Sequence, residues 1–289
     1  MICTLCPRRC GAERTAEAGG GFCRMPAGLR VARAMLHRWE EPPISGRNGA
    51  GTVFFSGCTL GCVYCQNGDI SAGGFGKDIS TARLREIFEE LIGQGAHNIE
   101  LVTPTHFLPW ILPALTPRLP VPVVYNCGGY ERAETLRALE GLVDVYLPDL
   151  KYADGTLAAA LSGAADYFPV ACQAIREMFR QVGPYVLEDG LLKRGVVIRH
   201  LVLPGYLDNT RQVLDWIAET FGPGDVLVSL MSQYTPTANM TGRLARRVTA
   251  AEYRAAAAYM RNCGITDGFV QERTSAEEAY TPAFDGQGV

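Results

Sequence analysis

Seven of the ten cysteines of this chain fall in two clusters, and their spacing is the first sign of chemistry. The stretch GCTLGCVYCQN sets Cys58, Cys62 and Cys65 in one tight loop with C-x3-C-x2-C spacing. A cubane iron-sulfur cluster has four irons, each wanting a thiolate, so three cysteines hold it and leave one iron open. An open metal position is the mark of a reactive site rather than a structural one. A zinc knuckle borrowing a distant fourth ligand, or three cysteines of an ordinary core, would give the same letters. Near the start, Cys3, Cys6, Cys10 and Cys23 supply four thiolates, enough to close a metal's coordination. Ligand count does not separate a second [4Fe-4S] cluster from a tetrahedral zinc there. Cys127, Cys172 and Cys263 stand alone.

Other polar groups gather in short segments between apolar runs. Lysine occurs only at Lys77, Lys151 and Lys193. Lys151 lies two residues from Asp149 in YLPDLKY, a spacing that puts both side chains on one strand face. Arg199 and His200 adjoin within VVIRHLVLP, where alternation sends one inward and the other outward. A buried guanidinium needs an anion, so whichever of the two points into the barrel needs a partner there, and His200 is read as a hydrogen-bonded core histidine. Thr103 to His106 (TPTH), Asn126 and Cys127 in YNCGGY, and Ser232, Gln233 and Tyr234 in LMSQYTPT complete the set. His106 reads equally as a ligand-binding group or as a helix-start cap.

Something must position these residues. The chain has 289 residues, 47% of them hydrophobic and 20% charged, which suits a globular protein with a sizeable core and argues against general disorder. From Thr52 onward, short β-branched runs alternate with amphipathic segments, the pattern of βα units around a parallel sheet. Strands are expected at 52–55, 99–102, 122–125, 143–147, 196–203 and 226–230, with a seventh from 268. Helices are expected between them, in LREIFEELIGQ, HFLPWILPAL, ERAETLRALE, CQAIREMFRQV, TRQVLDWIAET and AAEYRAAAAYMRN. A closed or partly open βα barrel and a doubly wound sheet both give this pattern, and both place ligands beyond the carboxyl ends of the strands. Residues 1–50, rich in Cys, Arg, Gly and Pro, read as a cysteine-rich metal-binding extension, and 51–289 as the core barrel with a polar tail from Gln271. That tail is expected to close the lower edge or cover the site.

A net charge of −3 counts against a nucleic-acid partner. No apolar run reaches the roughly 18 residues of a membrane span, and the start lacks a signal peptide's apolar stretch. A cytoplasmic protein is therefore expected, and in that compartment clustered cysteines point to metal or redox chemistry.

The loop CTLGCVYCQN resembles the radical S-adenosylmethionine superfamily, whose members carry a C-x3-C-x2-C loop, with an aromatic residue such as Tyr64 before the last cysteine, after the first strand of a partial βα barrel. The resemblance narrows, through HRWEEPPISG, YNCGGY, YLPDLKY, GAHNIELVTPTHFLPW, RHLVLPG and LMSQYTP, to the branch related to pyruvate formate-lyase activating enzyme, and within it to PflX-type iron-sulfur proteins. It implies a partial (β/α)6 TIM-like barrel with an N-terminal cysteine-rich extension. It implies an oxidoreductase in which the open iron of a [4Fe-4S] cluster chelates S-adenosyl-L-methionine, and reductive cleavage gives a 5'-deoxyadenosyl radical that abstracts hydrogen. Implied partners are a reductant such as flavodoxin or ferredoxin and a glycyl radical enzyme as the substrate protein; radical modification of a small molecule, peptide or RNA is one alternative, and a non-catalytic metal-stapled binding protein, against which the open three-thiolate site counts, is another. Tyr64, Thr103, Asn126, Asp149, Lys151, Arg199 and Gln233 are carried over as cofactor-binding positions. The chain departs from the activases at Thr103–His106, where they carry a Gly-Gly-Glu motif for the methionine amino group. It departs again at Asn126 and Cys127, where they often show an acidic residue and a threonine.

Overall fold

The structure is a computed structural model describing residues 2–17, 19–271 and 282–289. Ten strands form one sheet: β1 (Leu29–His37), β2 (Ala50–Phe55), β3 (Lys77–Ile79), β4 (Ile99–Val102), β5 (Val123–Cys127), β6 (Val145–Pro148), β7 (Val186–Glu188), β8 (Leu191–Leu201), β9 (Leu227–Met231) and β10 (Gly268–Val270). Their order is β10-β9-β8-β6-β5-β4-β2-β1-β3, with β7 paired to β8. From β2 through β4, β5, β6, β8 and β9 to β10 every neighbouring pair is parallel. This run is the partial barrel, and its strands are apolar because helices cover one face and barrel contents the other. All six residues of β2 are buried.

The helices follow from their amphipathic spacing. In Thr81–Gly93 the buried positions Leu84, Ile87, Phe88 and Leu91 recur every three or four residues, and Ser80 caps the start by accepting from Arg83 N. Ala250–Asn262 begins with a capping box between Thr249 and Glu252. Among the described residues, no helix is long and apolar enough to cross a membrane.

Several elements depart from the sequence reading. Leu29–His37, within the stretch assigned to the extension, is a sheet strand pairing antiparallel with β2. A register shift between Val31 and Arg33 breaks its period-2 pattern, which hides it from a search for alternation. β3 and β7 have three residues each, too few for any period. The helix Gly155–Ser162 also went unread, although Asp154 accepts from Thr156 N and Leu157 N at its start and Gly163 ends it in the left-handed conformation. At the other end of the chain, residues 272–281 of the expected covering tail lie outside the described residues. Beyond them, backbone hydrogen bonds from Ala34 N to Gln287 O and from Gly286 N to Ala32 O lay the last residues along β1.

Candidate active site

The parallel strands bring their carboxyl ends to one rim, and the chemically capable residues follow those ends. After β2 the chain turns through Gly57 (φ 79°) into the cysteine loop. A Cβ there would lie 2.4 Å from Met25 Cγ, so glycine is required by both the backbone and the close packing. Gly129 (φ 77°), after β5, likewise leaves room only for hydrogen, since a Cβ would fall 2.0 Å from Asp149 O.

Cys58, Cys62 and Cys65 all line a cavity of about 260 Å³. Each sulfur accepts a hydrogen bond: Cys58 from Leu60 N at 3.3 Å, Cys62 from the Ser162 hydroxyl at 3.2 Å and Cys65 from the Ser71 hydroxyl at 3.3 Å. Burial, reinforced by the charges of Cys62 and Cys65, pushes the Cys58 thiol up to about 12. Burial also raises Cys65. Ligation of a metal would require the thiolate form, so binding and deprotonation would be coupled there. Among the described residues, no three His, Cys, Asp or Glu side chains are arranged to hold a metal ion. Three soft donors in one loop suit a cluster of several irons.

Charged groups line the same cavity. Lys151 Nζ donates to Asp149 Oδ2 at 2.5 Å. Arg199 donates to Asp149 Oδ1 at 2.9 Å, to Glu40 Oε1 at 3.0 Å and to Asn126 Oδ1 at 2.6 Å. The Asn126 amide donates to Glu100 Oε1 at 2.7 Å, and Glu100 Oε2 accepts from the Thr52 hydroxyl at 2.6 Å. Burial works against the charge of Asp149, but Arg199 and Lys151 outweigh it and hold the carboxyl below its ordinary value. For Lys151 burial is likewise overcome, by the Asp149 carboxylate, and the ammonium is held well above its usual range. Glu40 is pushed up to about 8 by burial and the Glu100 charge, with Arg199 opposing.

Of the residues singled out from sequence, the three cysteines, Thr103, Asn126, Asp149, Lys151, Arg199 and Gln233 line this one cavity. Thr103 has φ 58°, a strained conformation for a β-branched residue. Gln233 O accepts from Gln66 Nε2 at 3.0 Å, tying the end of β9 to the cysteine loop. Tyr64 is placed differently: its hydroxyl meets that of Tyr152 at 2.6 Å, and it lines an adjoining cavity of about 210 Å³. His200 bonds Leu150 O and the Thr210 hydroxyl, as a core histidine. His106 is buried behind the loop, 2.7 Å from Ser56 O, and is absent from the cavity lining. Burial drives it down to about 4, so its ring stays neutral.

Glu40, Glu41 and Glu100 were not singled out. Glu100 carried a readable signal, a charge inside the apolar run IELV; the two others sit in a proline-rich stretch that reads as a turn.

The N-terminal cysteines form a second neighbourhood. Burial pushes Cys6 up to about 11, with Cys23 and Cys3 adding to it, and Cys23 in turn feels Cys3 and Cys10. Arg8, between them in the sequence, reaches across to the barrel. Its guanidinium donates to Thr59 O at 3.0 Å, Leu60 O at 2.8 Å, Ser162 O at 2.6 Å and Gly163 O at 2.5 Å. The extension thus grips the backbone of the cysteine loop itself.

No family model matches the chain. The protein named Uncharacterized protein MJ0674, from Methanocaldococcus jannaschii, is 32% identical over 246 residues, covering 81% of this chain and 66% of that protein. Among solved structures, SuiB of Streptococcus suis bound to S-adenosylmethionine is similar with a TM-score of 0.53 and 13% identity, over 75% of this chain and 48% of SuiB. The FeFe-hydrogenase maturase HydG from Carboxydothermus hydrogenoformans is similar with a TM-score of 0.51 and 14% identity, over 77% of this chain and 53% of HydG. The chain thus spans just under two thirds of its curated relative and about half of these structures. It has the mixed α/β partial-barrel fold of SuiB and HydG.

Proposed function

We propose that this protein is a radical S-adenosylmethionine enzyme of the glycyl radical enzyme activase kind, with a [4Fe-4S] cluster held by Cys58, Cys62 and Cys65. The observation that supports the reading is a single cavity lined both by the three thiols and by Asp149, Lys151, Arg199 and Asn126. The structural neighbour SuiB has been solved with S-adenosylmethionine, and also with the precursor peptide SuiA, at a TM-score of 0.50 over 71% of this chain. A cluster held by Cys58, Cys62 and Cys65 would supply the electron for reductive cleavage of S-adenosylmethionine. Lys151 and Arg199 bind the methionine carboxylate, and Asp149 and Asn126 hold the groups opposite in charge or hydrogen-bonding sense. Thr103 and Gln233 border the same ligand, while Tyr64 buttresses the loop from behind. Phe54, Leu60, Val102 and Met231 supply apolar lining that excludes water. A flavodoxin or ferredoxin is the reductant. Cys3, Cys6, Cys10 and Cys23 hold a second [4Fe-4S] cluster or a zinc ion.

Given dithionite and S-adenosylmethionine after anaerobic reconstitution, the protein is expected to release 5'-deoxyadenosine and methionine slowly, and faster with its substrate. A glycyl radical signal in a partner protein, formed in step with deoxyadenosine, marks the activase reaction. A fully reconstituted cluster that yields no deoxyadenosine under strong reduction overturns the proposal.

A further inference from the structure

The hydrogen bond to the Cys62 sulfur comes from 100 residues further along the chain. Its donor, the Ser162 hydroxyl, belongs to the last residue of the helix Gly155–Ser162, and Arg8 of the extension holds the carbonyl of that residue at 2.6 Å. The Ser162 hydroxyl lies 2.9 Å from that of Tyr152, which lies 2.6 Å from that of Tyr64. All three residues are buried: Ser162 is 2% exposed, Tyr152 0% and Tyr64 6%. A row of hydroxyls therefore starts inside the cysteine loop, leaves it for the segment after β6 and a separate helix, and returns to a sulfur of the same loop.

The direction of this row follows from counting protons. Each hydroxyl has one to give, and a metal-bound thiolate has none. Only one assignment puts a proton in each contact: Tyr64 donates to Tyr152, Tyr152 to Ser162, and Ser162 to the Cys62 sulfur. The Tyr152 hydroxyl also lies close enough to bond that sulfur directly, and a row that takes this shorter path still begins at Tyr64 and ends on Cys62. Hydroxyls aligned head to tail in a buried setting polarise one another, so the last bond is stronger than an isolated one.

We propose that Tyr64, Tyr152 and Ser162 form a hydroxyl relay that raises the reduction potential of the iron-sulfur cluster held by the loop, acting on it as positioning residues through the Cys62 sulfur. The inference rests on the reading of Cys58, Cys62 and Cys65 as cluster ligands. Reduction by one electron adds negative charge that spreads onto the sulfurs, and donors aimed at a sulfur favour the reduced form. The electron comes from the external reductant of the flavodoxin or ferredoxin class, and the relay makes the cluster easier for that reductant to fill. Tyr64 thus serves the loop through its hydroxyl, pointed away from the cavity that the cysteines line.

The test is a redox titration followed by electron paramagnetic resonance, on the anaerobically reconstituted protein without S-adenosylmethionine and on variants that each remove one hydroxyl: Ser162→Ala, Tyr152→Phe and Tyr64→Phe. Each is expected to move the midpoint to more negative potential at unchanged iron content, with Tyr152→Phe weakening the reduction equilibrium by roughly threefold or more, as loss of a buried hydrogen bond does. Adding Tyr64→Phe to Tyr152→Phe is expected to shift the midpoint no further, because the Tyr64 hydroxyl has lost its route to the sulfur. The two phenylalanine variants keep their rings and their packing, so the test stands if Ser162→Ala fails to take up a cluster. Wild-type midpoints in Tyr152→Phe and Tyr64→Phe, shifts to less negative potential, or additive shifts in the double variant overturn the inference and leave the cluster assignment intact. A wild-type protein that takes up no cluster on reconstitution overturns both.

Discussion

The triple replacement of Cys58, Cys62 and Cys65 by alanine is expected to remove about four irons per chain and to abolish 5'-deoxyadenosine release altogether. The fold should survive, because the three cysteines are only partly buried and sit in a loop beyond the end of β2. Any metal on the N-terminal set should remain, since those four thiolates form a separate neighbourhood. Iron analysis with Mössbauer spectra of both proteins makes the comparison. An unchanged iron content after reconstitution would sink the assignment of the cluster to this loop.

The second large effect concerns the charged groups of the cavity. Arg199→Met removes the one side chain that bridges Asp149, Glu40 and Asn126. Asp149 then keeps Lys151, but Glu40 keeps the Asn126 amide and is left largely buried without a cation, a change that costs on the order of 3–5 kcal/mol. A lowered urea midpoint should report it, together with loss of S-adenosylmethionine binding. Lys151→Ala should behave differently, because Asp149 keeps Arg199 and the fold loses far less, while cofactor affinity still drops. Equal stability losses in the two variants, or a loss below about 1 kcal/mol for Arg199→Met, would show that the bridge is not what holds the rim together.

Much of this was legible in the sequence because the strands are buried on both faces. Runs such as IELV and VLVSL announce themselves through β-branched composition, and polar residues just past their ends fall together once the sheet is parallel. Asp149, Lys151 and Arg199 were readable for that reason. Glu40 and Glu41 were not, because their importance comes from burial beneath the barrel's open side, and EEPP reads locally as an exposed turn. His106 illustrates the opposite limit. A histidine at a strand end has the right place for chemistry, but Gly57 lets the cysteine loop close over it, with a Cβ there lying only 3.1 Å from its Nε2. β1 escaped notice because a bulge shifts its alternation partway along.

The four carbonyls gripped by Arg8 carry a consequence for how the protein matures. Arg8 belongs to the same short loop as Cys6 and Cys10, yet it fixes Thr59 and Leu60, which lie between Cys58 and Cys62. If the extension folds around a metal of its own, as proposed, it would set the geometry into which the second set of thiols must be filled, and each loading event would favour the other by reciprocal linkage. In an iron titration the two centres would then fill together or in a fixed order, and chelation that stripped the extension would loosen the reactive centre without touching any of its ligands. Independent filling of the two sets would show the grip to be slack.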